Sequence, residues 1–352
     1  MAIHAHIERL VKFRYLGMDQ SLAYSWGIKV SMTGHFRRDL TLRQLRALAA
    51  VHDMGSVTAA AKRLNLTQPA VTLQLRNLEA LAGLPLVQRT GEGMHLTDAG
   101  REVMALVERV EAALLDCEQT LDMIAGRSGG RVSIGAVSTA KYFVPFIIAA
   151  FSRRHPKIEV VLKVGNREDI RQALRGYDLD IAIMGQPPPD LAVEKRLLGE
   201  HPHAIVASAN HWLVKDSGLA VVDLTYETFI TRERGSGTRM LMEQFFHASD
   251  LQPKIGMEMD SNETIKQAVI AGLGVAFISL HTVASELSDG RLVVLDVAGL
   301  PVMRQWYAVR RLDKELLPPA QAMLDFLGEE GFRHLPSPPL LHARESIGAT
   351  SA

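Results

Sequence analysis

Cysteine is nearly missing: Cys117 is the only one in 352 residues. That excludes an intramolecular disulfide framework and fits a reducing compartment, the cytoplasm. No apolar run approaches the roughly 20 residues that span a bilayer, so no membrane association is expected. Net charge is absent as well. Lysine and arginine number 39 and aspartate and glutamate 39, so any surface for a polyanion must be local. Catalytic signatures are also lacking, and an enzyme is not expected. No serine or cysteine stands in a nucleophile motif, and "GSGTR" falls short of a phosphate-loop or dinucleotide fingerprint. "HPH" at 201–203 has no partners at metal-ligand spacing; it reads as a loop, and neither metal nor cofactor is expected. His155, beside Pro156, merely ends a helix. The first 40 residues lack the layout of a secretion signal, because His4, His6, Glu8 and Arg9 interrupt the place of an apolar core. They read as a poorly structured extension, with Met32 as an alternative start. Residues 331–352 read as a flexible tail.

What is present is a 47% hydrophobic chain long enough for two or three units. "TLRQLRALAAV" sets Leu42, Leu45, Leu48 and Ala49 at helical spacing behind Thr41, a capping residue. Ser56 caps a second helix with Val57, Ala60, Ala61 and Leu64 on one stripe. Thr67 caps a third, with Pro69 in its first turn. In that helix Val71, Leu75 and Leu78 share one face, and Pro69, Thr72, Leu73 and Arg76 share the opposite one. This is a helix-turn-helix whose outer face suits the major groove, although a generic helical bundle has the same periodicity. "LPLVQRTGEGMHL" reads as a hairpin wing that offers Arg89 to a phosphate. Residues 37–100 hold eight basic and five acidic side chains, a local excess of three with the sign that DNA requires.

After Thr97, the residues Val103, Val107, Val110, Leu114, Cys117, Leu121 and Ile124 alternate at spacings of 4 and 3. Such a seam pairs most simply with a second copy of the same helix. "GRSGGR" (126–131) is a hinge. Beyond it strands and helices alternate, which predicts mainly parallel, doubly wound sheets in two subdomains with a cleft between them. Four loops lead into helices around that cleft: Ser138 and Thr139; Asn166 and Arg167; "RERGSGTR" (232–239); and "DSNET" (260–264). Helix starts carry unpaired N–H groups and attract anions, and Arg232, Arg234 and Arg239 supply guanidinium forks. With Gly185, Ser236, Thr238 and Asn262 these residues form the expected effector set.

"LRQLRALAAVHDMGSVTAAAKRLNLTQPAVTLQLRNLEALAGLPLVQRTGEGMHLTDAG" closely resembles the N-terminal domain of LysR-type transcriptional regulators. Val87 stands where that family usually has phenylalanine, and Glu92 sits in a wing that is commonly basic. "STAKYFVP" and "VGNRE" are similar to the subgroup that controls Calvin-cycle (RuBisCO) operons. The resemblance implies an α/β chain with an N-terminal winged helix-turn-helix and a periplasmic-binding-protein-like effector domain of two α/β subdomains. Its expected limits are extension 1–40, winged helix-turn-helix 41–97, linker helix and hinge 98–130, effector domain 131–330 and tail 331–352. Double-stranded DNA would meet Ser56, Thr67, Gln68, Pro69, Thr72, Leu73, Arg76 and Arg89. A homodimer through the linker helix, a homotetramer built from it, RNA polymerase and a small anionic effector, a phosphorylated metabolite, are the implied partners. A LysR-type regulator of another pathway, with an organic-acid effector, is the nearest alternative. A solute-binding module or enzyme is the more distant one.

Overall fold

The computed structural model describes residues 35–337; Met32, most of the expected extension and the last 15 residues of the expected tail lie outside the described residues. The chain forms two compact units, one through Val107 and one from Glu108.

In the first unit α1 (His35–Asp39) precedes α2 (Leu42–Met54), α3 (Val57–Arg63) and α4 (Gln68–Ala82). Local chemistry sets their limits. Thr41 and Gln44 close a capping box on α2, and Gly55, at φ 61°, ends it in the left-handed region open to glycine. Ser56 accepts from the Ala59 amide and Thr67 from the Ala70 amide, so each starts its helix as expected. Leu48, Val51, Ala60, Val71 and Leu78 are fully buried, and the alanines let α2 and α3 approach closely. The wing is β1 (Val87–Thr90) paired antiparallel with β2 (Gly93–Leu96). Glu79 Oε1 accepts from the Leu86 and Val87 amides, and the Met94 amide donates to the Gly55 carbonyl. The wing is thereby fastened to α4 and to the turn before α3. Next, α5 (Asp98–Ile124) starts at Thr97, whose hydroxyl accepts from the Gly100 amide. The expected seam is open along its second half: Leu114, Leu121 and Ile124 are 40%, 60% and 78% exposed, and Cys117 is exposed too.

The second unit continues with β3 (Arg131–Val137), α6 (Val144–Arg154), β4 (Glu159–Gly165), α7 (Arg167–Arg175), β5 (Ile181–Met184) and β6 (Val193–Ser208). Then follow β7 (Thr228–Arg232), α8 (Gly237–His247), β8 (Lys254–Met259), α9 (Asn262–Ile270) and β9 (Ala276–Ser279). The last elements are α10 (Ala284–Ser288), β10 (Leu292–Val294), β11 (Val302–Arg311) and α11 (Pro318–Glu330). Strands β4, β3 and β5 pair in parallel, as do β7 and β8. The expectation of mainly parallel sheets holds for these strands and fails for the rest. Strand β6 runs 16 residues through both lobes, antiparallel to β11, β9 and β10. A strand that crosses between lobes and is met by a returning one needs no covering helix, so the parallel rule does not bind it. The β6–β11 ladder shifts register at Trp306/Tyr307, opposite Gly199. Gly199 has φ 147°, and a Cβ there would lie 2.5 Å from Leu335 Cδ1, so this bend requires glycine. One core gathers on the first lobe around Phe143, Phe151, Ile147 and Trp306. The second lobe has one core on each face of its sheet, around Phe229 and Phe246 and around Ile265 and Ile278.

Candidate functional site

On α4, Gln68, Pro69, Thr72, Leu73 and Arg76 line one shallow open depression, while Val71, Leu75 and Leu78 hold the opposite face in the core. The Thr72 hydroxyl donates to the Gln68 carbonyl at 2.9 Å, and the Thr58 hydroxyl donates to Gln68 Oε1 at 3.2 Å. The Thr58 bond holds the exposed Gln68 side chain, and the Thr72 bond ends on the Gln68 main-chain carbonyl. Arg76 and Arg89 are exposed and enter no ion pair among the described residues. Ser56 and Thr67, also expected at DNA, spend their side chains on helix caps.

A cleft of about 550 Å³, counting the space open to solvent, lies between the two lobes of the second unit. Of the expected set it is lined by Ser138, Thr139, Arg167, Gly185, Arg232, Ser236 and Thr238. Thr139 and Ser236 are buried, and neither side chain caps the helix it precedes. Gly237 and Thr238 open α8, so their amides are first-turn donors at its positive end. No carboxylate lines the cleft.

The arginines differ from expectation. Arg232 spends three of its five N–H groups inside the lobe: its Nε and Nη2 donate to the Glu233 carboxylate and its Nη1 to Asn262 Oδ1. Arg239 is turned to Glu243 and Glu258. Arg234 is exposed and, like Arg239, does not line the cleft. Asn166 caps α7, accepting from the Asp169 amide at 2.9 Å, and Asn262 lies behind Arg232, outside the lining. Besides Arg232, whose charge Glu233 balances, the cleft is lined by Arg167 and Arg304, which enter no ion pair among the described residues. Arg167 Nε is buried without a partner; the adjacent Glu168 is taken up by Arg171 and Gln172. Arg304 donates one bond, to Gln186 Oε1 at 3.2 Å.

"HPH" is corrected from a loop to the middle of β6. His201 and His203 are buried and line the cleft. Burial pushes His203 down to about 3 and His281 to about 4, and pushes His201 well below the ordinary range, so all three rings are neutral near pH 7. Local sequence carried little sign of Arg304 or the histidines. The only available signal was alternation, since Arg304 and Trp306 share a face of β11. Among the described residues no cluster of His, Cys, Asp or Glu has the grouping to hold a metal ion, and no helix is long and apolar enough to cross a membrane.

Residues 42–101 match the family model of the bacterial regulatory helix-turn-helix protein, lysR family, and residues 125–331 that of the LysR substrate binding domain. The chain is 50% identical over 301 residues, 85% of its length and 90% of the relative's, to the HTH-type transcriptional regulator CbbR of Xanthobacter flavus. It is 42% identical over 294 residues, 84% of its length and 97% of the relative's, to the RuBisCO operon transcriptional regulator of Allochromatium vinosum. Among solved structures, the CcmR regulatory domain of Synechocystis PCC6803 in complex with 2-PG superposes with a TM-score of 0.55 at 35% identity. That match covers 56% of this chain and 95% of the other.

Proposed function

Because the chain belongs to the LysR family of bacterial transcriptional regulators, we propose that it binds operator DNA through α4 and controls carbon-dioxide-fixation genes in response to a phosphorylated acid. It works as a regulator in the cytoplasm, not as an enzyme, and needs no cofactor. The effector is taken in the cleft between the two lobes. One observation carries this: the cleft offers Arg167, Arg304, buried hydroxyls at Thr139 and Ser236 and the open start of α8, with no carboxylate among them. Such a donor-rich lining without a carboxylate suits an anion with several acceptor oxygens, and a phosphoryl group has three. The CcmR domain's 2-PG, 2-phosphoglycolate, is a molecule of that kind. A ligand that bridges the lobes favours a closed form, and its differential affinity for the two forms is the energy available to alter DNA binding.

Two chains pair along the exposed seam of α5, and such dimers pair again into a tetramer. RNA polymerase is the partner that an activator of this kind would contact at the promoter. Calorimetry with 2-phosphoglycolate, sugar phosphates and aromatic carboxylates tests the effector. Binding of the phosphorylated compounds that weakens at least tenfold in Arg167→Ala supports the reading. Preference for a non-phosphorylated organic acid would move the protein to another pathway while leaving the regulator intact.

A further inference from the structure

His201 carries a second buried atom without a partner, and the anion reading alone leaves it unused. Its ring stacks on Trp306 with centroids 3.7 Å apart, and its Cα stands opposite that of Arg304 in the β6–β11 ladder. Nε2 lies 2.9 Å from Oγ of the fully buried Ser279. Nδ1 is buried and unpaired. It faces Gly185, where a Cβ would come within 3.1 Å of it, and both residues line the cleft. Buried polar atoms in folded proteins have partners almost without exception, and one left open in a cleft marks where a ligand atom goes.

We propose that His201 is a specificity-determining residue: its Nδ1–H donates to an oxygen at the second polar end of a two-ended anion, while Ser279 donates its hydroxyl to Nε2 and holds the ring in that tautomer. This rests on the reading of the cleft as an anion site. The ligand class is a phosphorylated acid whose carboxylate or hydroxyl oxygen reaches His201, while Arg167 and the start of α8 meet its phosphoryl group. The ring acts by its tautomer and not by its charge. His203 on the same strand stands 4.1 Å away, His281 beyond β9 5.8 Å away, and Arg304 comes from β11. No acidic group faces the ring from the cleft. Burial and these neighbours together keep the ring unprotonated, so it presents one N–H, placed by the bond at its other nitrogen.

The test exploits the two nitrogens separately. In His201→Asn the amide NH2 falls near the place of Nδ1; in His201→Gln it falls near Nε2 and the cleft-facing donor is lost. Calorimetry on the full chain uses 2-phosphoglycolate, with inorganic phosphate as a single-ended probe. We expect His201→Asn to bind 2-phosphoglycolate within about threefold of the parent and His201→Gln to lose about 10- to 100-fold, with phosphate affinity nearly unchanged. Gly185→Ala, which leaves the histidine in place, should show the same selective loss. Equal binding of 2-phosphoglycolate by parent and His201→Gln would overturn the assignment and leave the anion site standing. Failure of the parent to bind 2-phosphoglycolate or phosphate would remove both. Should His201→Gln not fold, nitrogen-15 chemical shifts of the parent's histidines in the complex decide the matter: Nδ1–H at His201 supports the proposal, and Nε2–H sinks it.

Discussion

The Gln68 side chain is held at the first turn of α4 by the Thr58 hydroxyl on its Oε1. A side chain oriented in advance loses less freedom on meeting a base edge. Gln68→Ala and Arg76→Ala should therefore each weaken operator binding by about 1–3 kcal/mol, with Gln68→Ala also relaxing sequence preference. Titrations against the operator and against point-substituted versions of it check this; unchanged affinity and unchanged preference in both variants would move the contact off this face. The buried histidines make a separate prediction. His203 and His281 fall from 6.5 to about 3 and about 4, in each case through burial. Below about pH 6.5 the unfolded chain takes up protons that the folded one refuses. Stability is then complete above that pH and declines as pH drops from about 6.5 toward 4. This window lies above the carboxylate range, so thermal melts between about pH 7.5 and 5 isolate the histidines. A flat midpoint across that span would contradict their burial as neutral rings.

At the scale of an element, α5 leaves apolar side chains uncovered in the single chain. Its 27 residues make a rod of roughly 40 Å, and Leu114, Leu121 and Ile124 stand open along it. Full burial of such a side chain contributes about 1.5–3 kcal/mol, and covering the fraction still open on each adds a corresponding part of that, favouring a self-complementary seam between two copies. Leu114→Asp would place a charge in that seam, and sedimentation at micromolar concentration should show dissociated chains with weakened operator binding. Wild-type assembly by this variant would put the dimer elsewhere. The wing poses a different problem. Glu92 adds a negative charge at its tip, so Glu92→Lys should strengthen DNA binding by several tenths of a kcal/mol at low salt and lose the gain as salt rises.

Within the second unit, the two lobes touch across the cleft through the Tyr142 hydroxyl, which donates to Glu263 on α9. Tyr142 follows β3 in the first lobe and Glu263 belongs to the second. A hydrogen bond that exists only when the lobes approach stabilises the closed form. Tyr142→Phe should accordingly weaken effector binding by about 2- to 10-fold although no cleft-lining atom is altered. Because the bond forms after the ligand has entered, its loss should appear in the dissociation rate measured by stopped flow. An unchanged dissociation rate would assign Tyr142 a structural role only.

The winged helix-turn-helix could be read from the chain because its instructions are local. Thr41, Ser56, Thr67 and Thr97 cap the helices they precede, and the buried stripe of α4 follows from residues three and four apart. The strand–helix rhythm of the second unit was readable for the same reason, as was the approach of residues 138–139, 167 and 236–238 to one cleft. Tertiary structure alone decided which side chains have hydrogen-bonding capacity left. Arg232 and Arg239 look like anion forks in the segment "RERGSGTR", yet Asn262 and Glu258, on other elements, take up part of their guanidinium groups. Arg304 and His201 reach the cleft because an antiparallel ladder brings together positions 103 residues apart (304 − 201) in register. A guanidinium or imidazole binds with whatever donors its neighbours leave unpaired, and those neighbours are chosen by the fold.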